Sequence, residues 1–397
     1  MRDPYANSRR AAVSEFDIIV YGATGYTGRL VAEYLGSRNH GVRWAMSGRS
    51  QAKLEQVRDE LGLPDQPIVV ADADNPESLR ALCEQTTVVL STVGPYQLYG
   101  GPLVAACAAK GTGYVDLCGE PAWMRQMIDA YEADAKASGA RIVFSCGFDS
   151  IPFDLGVWTV QNAARARFGR PAPRVKGRVT KMQGTFSGGT FASARATMAA
   201  AARDPQVLKL MIDPFALTPG FTGPSQPKGL MPEYDDTLGA WTAPFVMAAI
   251  NTKNVHRTNA LTGHAYGTDL RYDEMVAVPG LGDVGRMAAE AVAKLNPLGG
   301  DKGPALGDGP TRTEREAGHY EIKFLAEMPD GERVVATVTG DRDPGYGSTS
   351  KMIAEAAICL VKDVDGAGGI WTPGALMPEP LVKRLEANAG VTFRMEG

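Results

Sequence analysis

Residues Ile18–Gly28 read IIVYGATGYTG. The apolar run Phe16–Tyr21 has the length and content of a buried strand. Three glycines at GxxGxxG spacing follow it, and a helical pattern then runs from Thr27 to Leu35. Strand, glycine turn and helix in that order leave few folds open, because together they make the dinucleotide-binding unit of a doubly wound α/β sheet. Each glycine has its own task. Gly22 allows the tight turn, Gly25 lets backbone approach a pyrophosphate, and Gly28 lets the helix pack on the strand. Thr24, Tyr26 and Thr27 share the turn. The helix start offers N–H groups and the positive end of its dipole to phosphate.

The pattern continues beyond this unit. Strand-like runs at Val42–Ser47, Pro67–Ala71, Thr87–Ser91, Tyr114–Leu117 and Arg141–Ser145 alternate with helical ones at Lys53–Leu61, Pro76–Glu84, Pro102–Lys110 and Ala122–Ser138. Such alternation predicts a parallel sheet with helices on both faces. Near Asp149 the rhythm breaks. Val175–Thr185 is strand-like, Phe191–Ala202 helical, and Tyr320–Ala326 and Arg333–Thr339 form a hairpin around Pro329-Asp330-Gly331. A long helix over Lys351–Lys362 and shorter elements at Pro380–Ala387 and Val391–Arg394 close the chain. The expected architecture is a Rossmann-type doubly wound parallel sheet with an inserted mixed α/β substrate domain. Residues 14–150 plus 345–397 form the nucleotide-binding part, and 151–344 the insert. Residues 1–14 read as a frayed tail, and Asn296–Thr311, rich in Gly, Pro and Asp, as a mobile loop.

Composition narrows the classes. The net charge of -4 argues against a general nucleic-acid binder, which carries a basic face. The five cysteines are scattered with no CxxC pair, as expected of core residues in a reducing compartment. The four histidines do not pair, and there is no HExxH, so no metal is expected. No apolar stretch approaches the ~18 residues that span a bilayer. The expectation is a cytoplasmic protein with no transmembrane segment, or one peripheral at membranes.

The second strand ends in Ser47-Gly48-Arg49-Ser50. An NAD site places a carboxylate there to hold the ribose 2′-hydroxyl. Here Arg49 stands instead, with Ser50 and Lys53 behind it. A cation suits a 2′-phosphate, so the expected cofactor is NADP (as NADPH). Arg49 could also be an ordinary surface arginine. Asp72 is a candidate for the adenine edge or a turn aspartate. Ser91, Thr92 and Gly94, at the end of the fourth strand, should line the nicotinamide ribose, because ligands bind at the carboxyl ends of the strands. Tyr96 and Tyr99 follow. Asp149 and Ser150 end the sixth strand. These four are the candidate catalytic residues. Tyr96 could instead be packing, and Asp149 or Ser150 only a helix cap.

GATGYTG, SGR at 47–49, STVGPYQLYGGPLVAAC at 91–107, YVDLCGE at 114–120 and GFDSIPFDLG at 147–156 resemble the saccharopine dehydrogenase-like oxidoreductases. The resemblance is closest to the branch of mycobacterial trans-acting enoyl reductases of lipid biosynthesis. GGTFASA, PFVMAAINTKNV, DPGYGSTSKMIAEAA and WTPGALMPEPLVKRL extend it over nearly the whole chain. It implies a Rossmann domain completed by the C-terminal segment, a substrate domain between, and NADP(H)-dependent reduction. Saccharopine-type enzymes usually show GxGxxG, which counts against saccharopine itself.

A short-chain dehydrogenase is disfavoured because no tyrosine is followed four positions later by lysine, and a hydrolase because no GxSxG occurs. Three readings remain. The first is reduction of an activated C=C or C=O in a lipid-like or acyl small molecule, with a lipid-synthesis enzyme as partner and a homo-oligomeric state. The second is a saccharopine-type amine or amino-acid dehydrogenase, which needs cations for substrate carboxylates. Arg178, Lys181, Arg195, Arg257 and Arg271 form no compact cluster in the sequence. The third is a non-catalytic NADP-binding sensor or scaffold.

Overall fold

The computed structural model describes residues 14–295, 298, 305 and 307–396. Residues 1–13, and most of the expected loop between 296 and 306, lie outside the described residues. In chain order the strands are β1 (Phe16–Tyr21), β2 (Trp44–Gly48), β3 (Ile68–Val70), β4 (Thr86–Ser91), β5 (Gly113–Asp116), β6 (Arg141–Val143), β7 (Arg174–Gln183), β8 (Glu233–Asp235), β9 (Ala240–Pro244), β10 (Arg271–Ala277), β11 (His319–Glu327), β12 (Arg333–Gly340), β13 (Gly369–Trp371) and β14 (Val391–Met395).

Seven of them form one parallel sheet in the order β13-β6-β5-β4-β1-β2-β3. The order reverses between β1 and β4, so their carboxyl ends open the ligand crevice of a doubly wound sheet. β1 is buried along almost its whole length, as a strand covered on both faces must be. Helix Tyr26–Gly36 lies on one face beside helix Thr349–Lys362, which also packs on β1, β4 and β5. The other seven strands form a mixed sheet, β14-β12-β11-β7-β10-β9-β8. Only β7 and β10 pair in parallel there. β12 alternates buried and part-exposed residues, the period of a strand with one face on a core. Helix Ile151–Phe168 supplies that core, packing on β11 and β12.

The elements follow the sequence reading closely up to β6. The tail divides. β13 extends the parallel sheet at β6, but β14 pairs with β12. The last strand therefore lies in the second sheet and not in the nucleotide-binding part where the sequence reading put it. Its apolar residues Val391 and Phe393 face the core that β12 already lines. No helix among the described residues is long and apolar enough to cross a membrane.

Candidate active site

The glycine turn has the geometry its sequence requires. Gly22 has φ +95°, in the left-handed region, and a Cβ there would stand 2.7 Å from Val93 and 2.8 Å from the Thr92 hydroxyl. A Cβ on Gly28 would stand 2.1 Å from the Gly22 carbonyl oxygen. Gly25 is the N-cap of helix 26–36 and brings no capping side chain, so the first turn keeps its N–H groups for a ligand. Gly25, Tyr26 and Thr27 face a cavity of about 640 Å³. A turn that excludes Cβ atoms and an uncapped helix start fit a bound pyrophosphate.

The residues expected at the ribose lie at the neighbouring strand ends. Arg49 is exposed, with no hydrogen-bond or ion-pair partner among the described residues, and Lys53 is exposed one turn into the next helix. The Ser50 hydroxyl accepts from the Lys53 N–H at 3.4 Å, capping that helix. Asp72 closes a turn, its carboxylate accepting from the Asp74 N–H at 3.1 Å. Thr24 is part-exposed in the turn, and Ser91 is buried. Thr92 and Gly94 line the cavity.

The cavity runs from this turn to the inserted domain. Thr92, Gly94, Tyr96, Glu120, Gly147, Phe148 and Asp149 contribute from the parallel sheet's strand ends. Helix Gly188–Arg203 forms the opposite wall with Gly189, Thr190, Ser193, Ala194, Thr197 and Met198, a helical face read at i, i+4 and i+5 steps. The Gln97 amide donates to the Thr197 hydroxyl at 3.1 Å and ties the two walls together. Met182, Phe186, Met211, Phe245, Val246, Met247 and Ile250 make up the apolar part of the lining. Among the described lining residues there is no Lys, Arg or His. Arg178 is instead buried against Asp235 and Asp273, and Arg257 against Glu132 and backbone carbonyls.

The four catalytic candidates separate. Tyr96 lines the cavity, but its hydroxyl donates to the Ser91 carbonyl at 3.2 Å and accepts from the Leu117 N–H at 3.1 Å. Burial pushes that phenol well above its ordinary range. Tyr99 points away, 43% exposed and absent from the described lining, because it sits on the outer side of the short turn Tyr96–Tyr99. Ser150 is buried behind the wall, accepting from the Asn254 amide at 2.8 Å. Asp149 faces the cavity. It does not cap helix 151–168, which has no side-chain cap, and its Oδ1 is buried with no hydrogen-bond partner. Burial raises its carboxyl to about 7.

Glu120 also lines the cavity, but its two oxygens are taken by the N–H groups of Tyr96 and Gln97, at 2.9 and 2.8 Å. Asp149 is thus the one described lining carboxyl whose oxygens are not consumed by helix-start N–H groups. The sequence puts Glu120 at the end of the fifth strand, among the polar side chains that face the crevice, but assigns it no role. Nor does it assign one to Tyr346, whose hydroxyl contacts the Ser187 N–H and the Thr190 hydroxyl and whose ring packs edge-on against Tyr26, centroids 5.1 Å apart. Among the described residues no cluster of side chains is suited to a metal ion.

A sequence profile of the saccharopine dehydrogenase NADP binding domain matches residues 18–143. The chain is 40% identical, over 97% of its length and 98% of the relative's, to a Mycobacterium tuberculosis protein named provisionally as a trans-acting enoyl reductase. The trans-acting enoyl reductases of Mycobacterium ulcerans and Mycobacterium leprae are each 37% identical, over 94% and 96% of this chain and 96% and 97% of their own. Apo saccharopine dehydrogenase (L-Glu forming) from Saccharomyces cerevisiae shares the fold at a TM-score of 0.54 and 11% identity, covering 96% of this chain and 99% of that one. The glycine turn, the strand order and these relatives agree: the chain belongs to the saccharopine dehydrogenase-like oxidoreductases, in the branch of the mycobacterial trans-acting enoyl reductases, and its cofactor is NADP.

Proposed function

We propose that the protein uses NADPH to reduce an activated C=C, or a C=O, of an apolar acyl substrate. One observation carries this reading: the cavity at the nucleotide-binding strand ends has many apolar side chains and no cation among its described lining residues. A substrate with free carboxylates would need Lys or Arg to hold it. This disfavours an amino-acid dehydrogenase. The methionines at 182, 198, 211 and 247 are flexible and suit a chain of variable shape.

Bound NADPH supplies a hydride from its nicotinamide ring. The glycine turn would hold the phosphates, and Arg49 would meet the 2′-phosphate. Thr92 and Gly94 line the path of the nicotinamide ribose, and the apolar walls exclude water from the reacting centre. Asp149, protonated up to about pH 7, gives its proton to the α-carbon of an enoyl group or the oxygen of a carbonyl. Met198 and Ile212, 64% and 72% exposed on neighbouring helices near the apolar part of the lining, suit delivery of the chain by a lipid-synthesis enzyme.

The test is NADPH oxidation with a panel of enoyl and ketoacyl thioesters of increasing chain length, against free amino and keto acids. Turnover rising with chain length supports the reading. Turnover only with amino or keto acids overturns it. Tight NADPH binding with no turnover on the whole panel favours a sensor or scaffold.

A further inference from the structure

Behind Asp149 lies a buried polar array that a simple hydride-transfer site does not need. Helix Ala248–Leu261 presents Asn251 and Asn254, three residues apart and so on one face. The Asn254 amide donates to the hydroxyl of Ser150, the residue next to Asp149, at 2.8 Å. The Asn251 amide donates to Oε2 of Glu274, on β10, at 2.9 Å. The Glu274 Oε1 accepts from the Tyr272 hydroxyl at 2.8 Å. Asn251, Asn254, Ser150 and Glu274 are all buried, and Glu274 and Ser150 have no exposed surface at all.

The count of donors and acceptors is uneven. Oδ1 of Asp149, Oδ1 of Asn251 and Oδ1 of Asn254 are each buried without a partner, and all three accept. A buried polar group left unmatched costs about 1–3 kcal/mol, so such an array calls for additional protons. Two carboxyls at its ends can carry them. A protonated Glu274 donates to the Asn251 oxygen if that amide turns over, and a protonated Asp149 leaves no unpaired charge at the cavity wall.

We propose that Asp149 and Glu274 form one acid pair bridged by the Asn251–Asn254 face, with Glu274 as the positioning residue that retains the second proton. This rests on the reductase reading above. In turnover the Asp149 O–H bond breaks, its proton goes to the α-carbon of an enoyl group or to the oxygen of a carbonyl, and Asp149 is left as a carboxylate. Glu274 stays neutral, so that carboxylate has no second negative charge beside it, and a solvent proton restores Asp149.

The surroundings agree. Burial raises Glu274 to about 8, and the charge of Asp149 adds to the effect, as does that of Asp273. Arg178, on β7, is engaged by Asp235 and Asp273 and makes no bond to Glu274. On the bridging helix itself, Lys253 bonds to the Ala249 carbonyl and faces Asp213, and His256 packs on Phe215. From the C-terminal segment, Tyr346 feels the Asp149 charge but bonds to Ser187 and Thr190.

The experiment is infrared titration of the protonated-carboxyl band in the full-length protein, which needs no substrate. Asp116 and Asp154, also buried and raised to about 7, cancel in variant-minus-wild-type spectra. Glu274→Gln should remove a step near pH 8, and Asp149→Asn should remove one near pH 7 and move the Glu274 step to lower pH. With a turned-over substrate, Glu274→Gln should keep kcat at pH 7 within about twofold, because the amide preserves the neutral form. Glu274→Ala, with Asn251 released, should lose about tenfold in kcat at unchanged NADPH affinity. A Glu274 step that stays in place in Asp149→Asn overturns the pair even where turnover is found. Coupled steps without turnover on any substrate leave the pair standing and overturn the reductase reading.

Discussion

The Tyr96 hydroxyl accepts the Leu117 N–H at 3.1 Å and so joins the residue after β5 to the turn that follows β4. The same hydroxyl donates to the Ser91 carbonyl. A phenol bound to backbone on both sides is a cross-link between strand ends. Tyr96→Phe should therefore lower stability by about 1–3 kcal/mol, because a buried N–H and a buried C=O lose their partner. It should leave kcat within a few-fold. Denaturant unfolding and turnover of the same preparation check both halves, and a hundredfold fall in kcat at unchanged stability would return Tyr96 to the chemistry.

Asp149→Asn should cost about 10²–10⁴-fold in kcat while NADPH affinity stays within twofold. The pH dependence has a definite sign. In the proposed mechanism the acid form is the active one, so kcat should be level below pH 7 and fall as pH rises through about 7. A profile that rises through that range would mean that Asp149 acts as a base or not at all.

Arg49→Asp should weaken NADPH binding by about 10–100-fold, the worth of a hydrogen bond between charged groups, and improve NADH relative to it. Equilibrium binding of both nucleotides gives the ratio. An unchanged ratio removes Arg49 from the 2′-phosphate.

Gly28→Ala should fail differently. The new methyl meets the Gly22 backbone carbonyl at 2.1 Å, which cannot swing aside as a side chain could, so the helix must move off the strand. The expected cost is about 1–3 kcal/mol, together with loss of NADPH binding. Thermal unfolding with and without NADPH reads both, since a variant that no longer binds loses the ligand's stabilisation.

Stability should peak in mildly acid solution. Asp149 and Glu274 are raised to about 7 and about 8 in the fold, above their ordinary values near 4. Each adds stability that is full below its unfolded value and is lost as pH climbs to the folded one. His256 works in the opposite sense. Burial lowers it to about 4, so its contribution is present above 6.5 and is lost as pH falls. Between pH 4 and pH 7 the raised carboxyls outnumber His256, so melting temperatures from pH 4 to pH 9 should be highest at the acid end, and Glu274→Gln should make the decline toward alkaline pH shallower. A maximum above pH 8 would contradict the neutral buried carboxyls.

Much of this was legible before any coordinates. IIVYGATGYTG marks its fold because a tight turn, a close backbone approach and a close helix each demand glycine, and few other arrangements demand all three. The long alternations at β11 and β12 read as a hairpin because one face meets a core. Helix 248–261 was not legible. It buries Asn251, Lys253, Asn254, His256, Arg257, Thr258 and Asn259, so it has no apolar stripe, and only distant partners make that burial tolerable. β13 is three residues long and carries no period. The roles of Asp149 and Glu120 turn on which carboxylate meets free N–H groups, a fact of three-dimensional placement that no local pattern encodes.

The division of the tail has a consequence for how the molecule comes into being. β13 is added to the edge of one sheet at β6, and β14 to the edge of the other at β12. While the chain is being synthesised, β6 and β12 lack these partners until residues 369–395 emerge, and until residues 349–362 emerge their helix cannot cover β1, β4 and β5. Neither half can finish ahead of the other, although domains ordinarily complete in order from the N-terminus during translation. Both sheets therefore wait on residues 369–395, and a ribosome stalled before Gly369 would leave β6 and β12 as edge strands in place of β13 and β14, each a template for pairing with another chain.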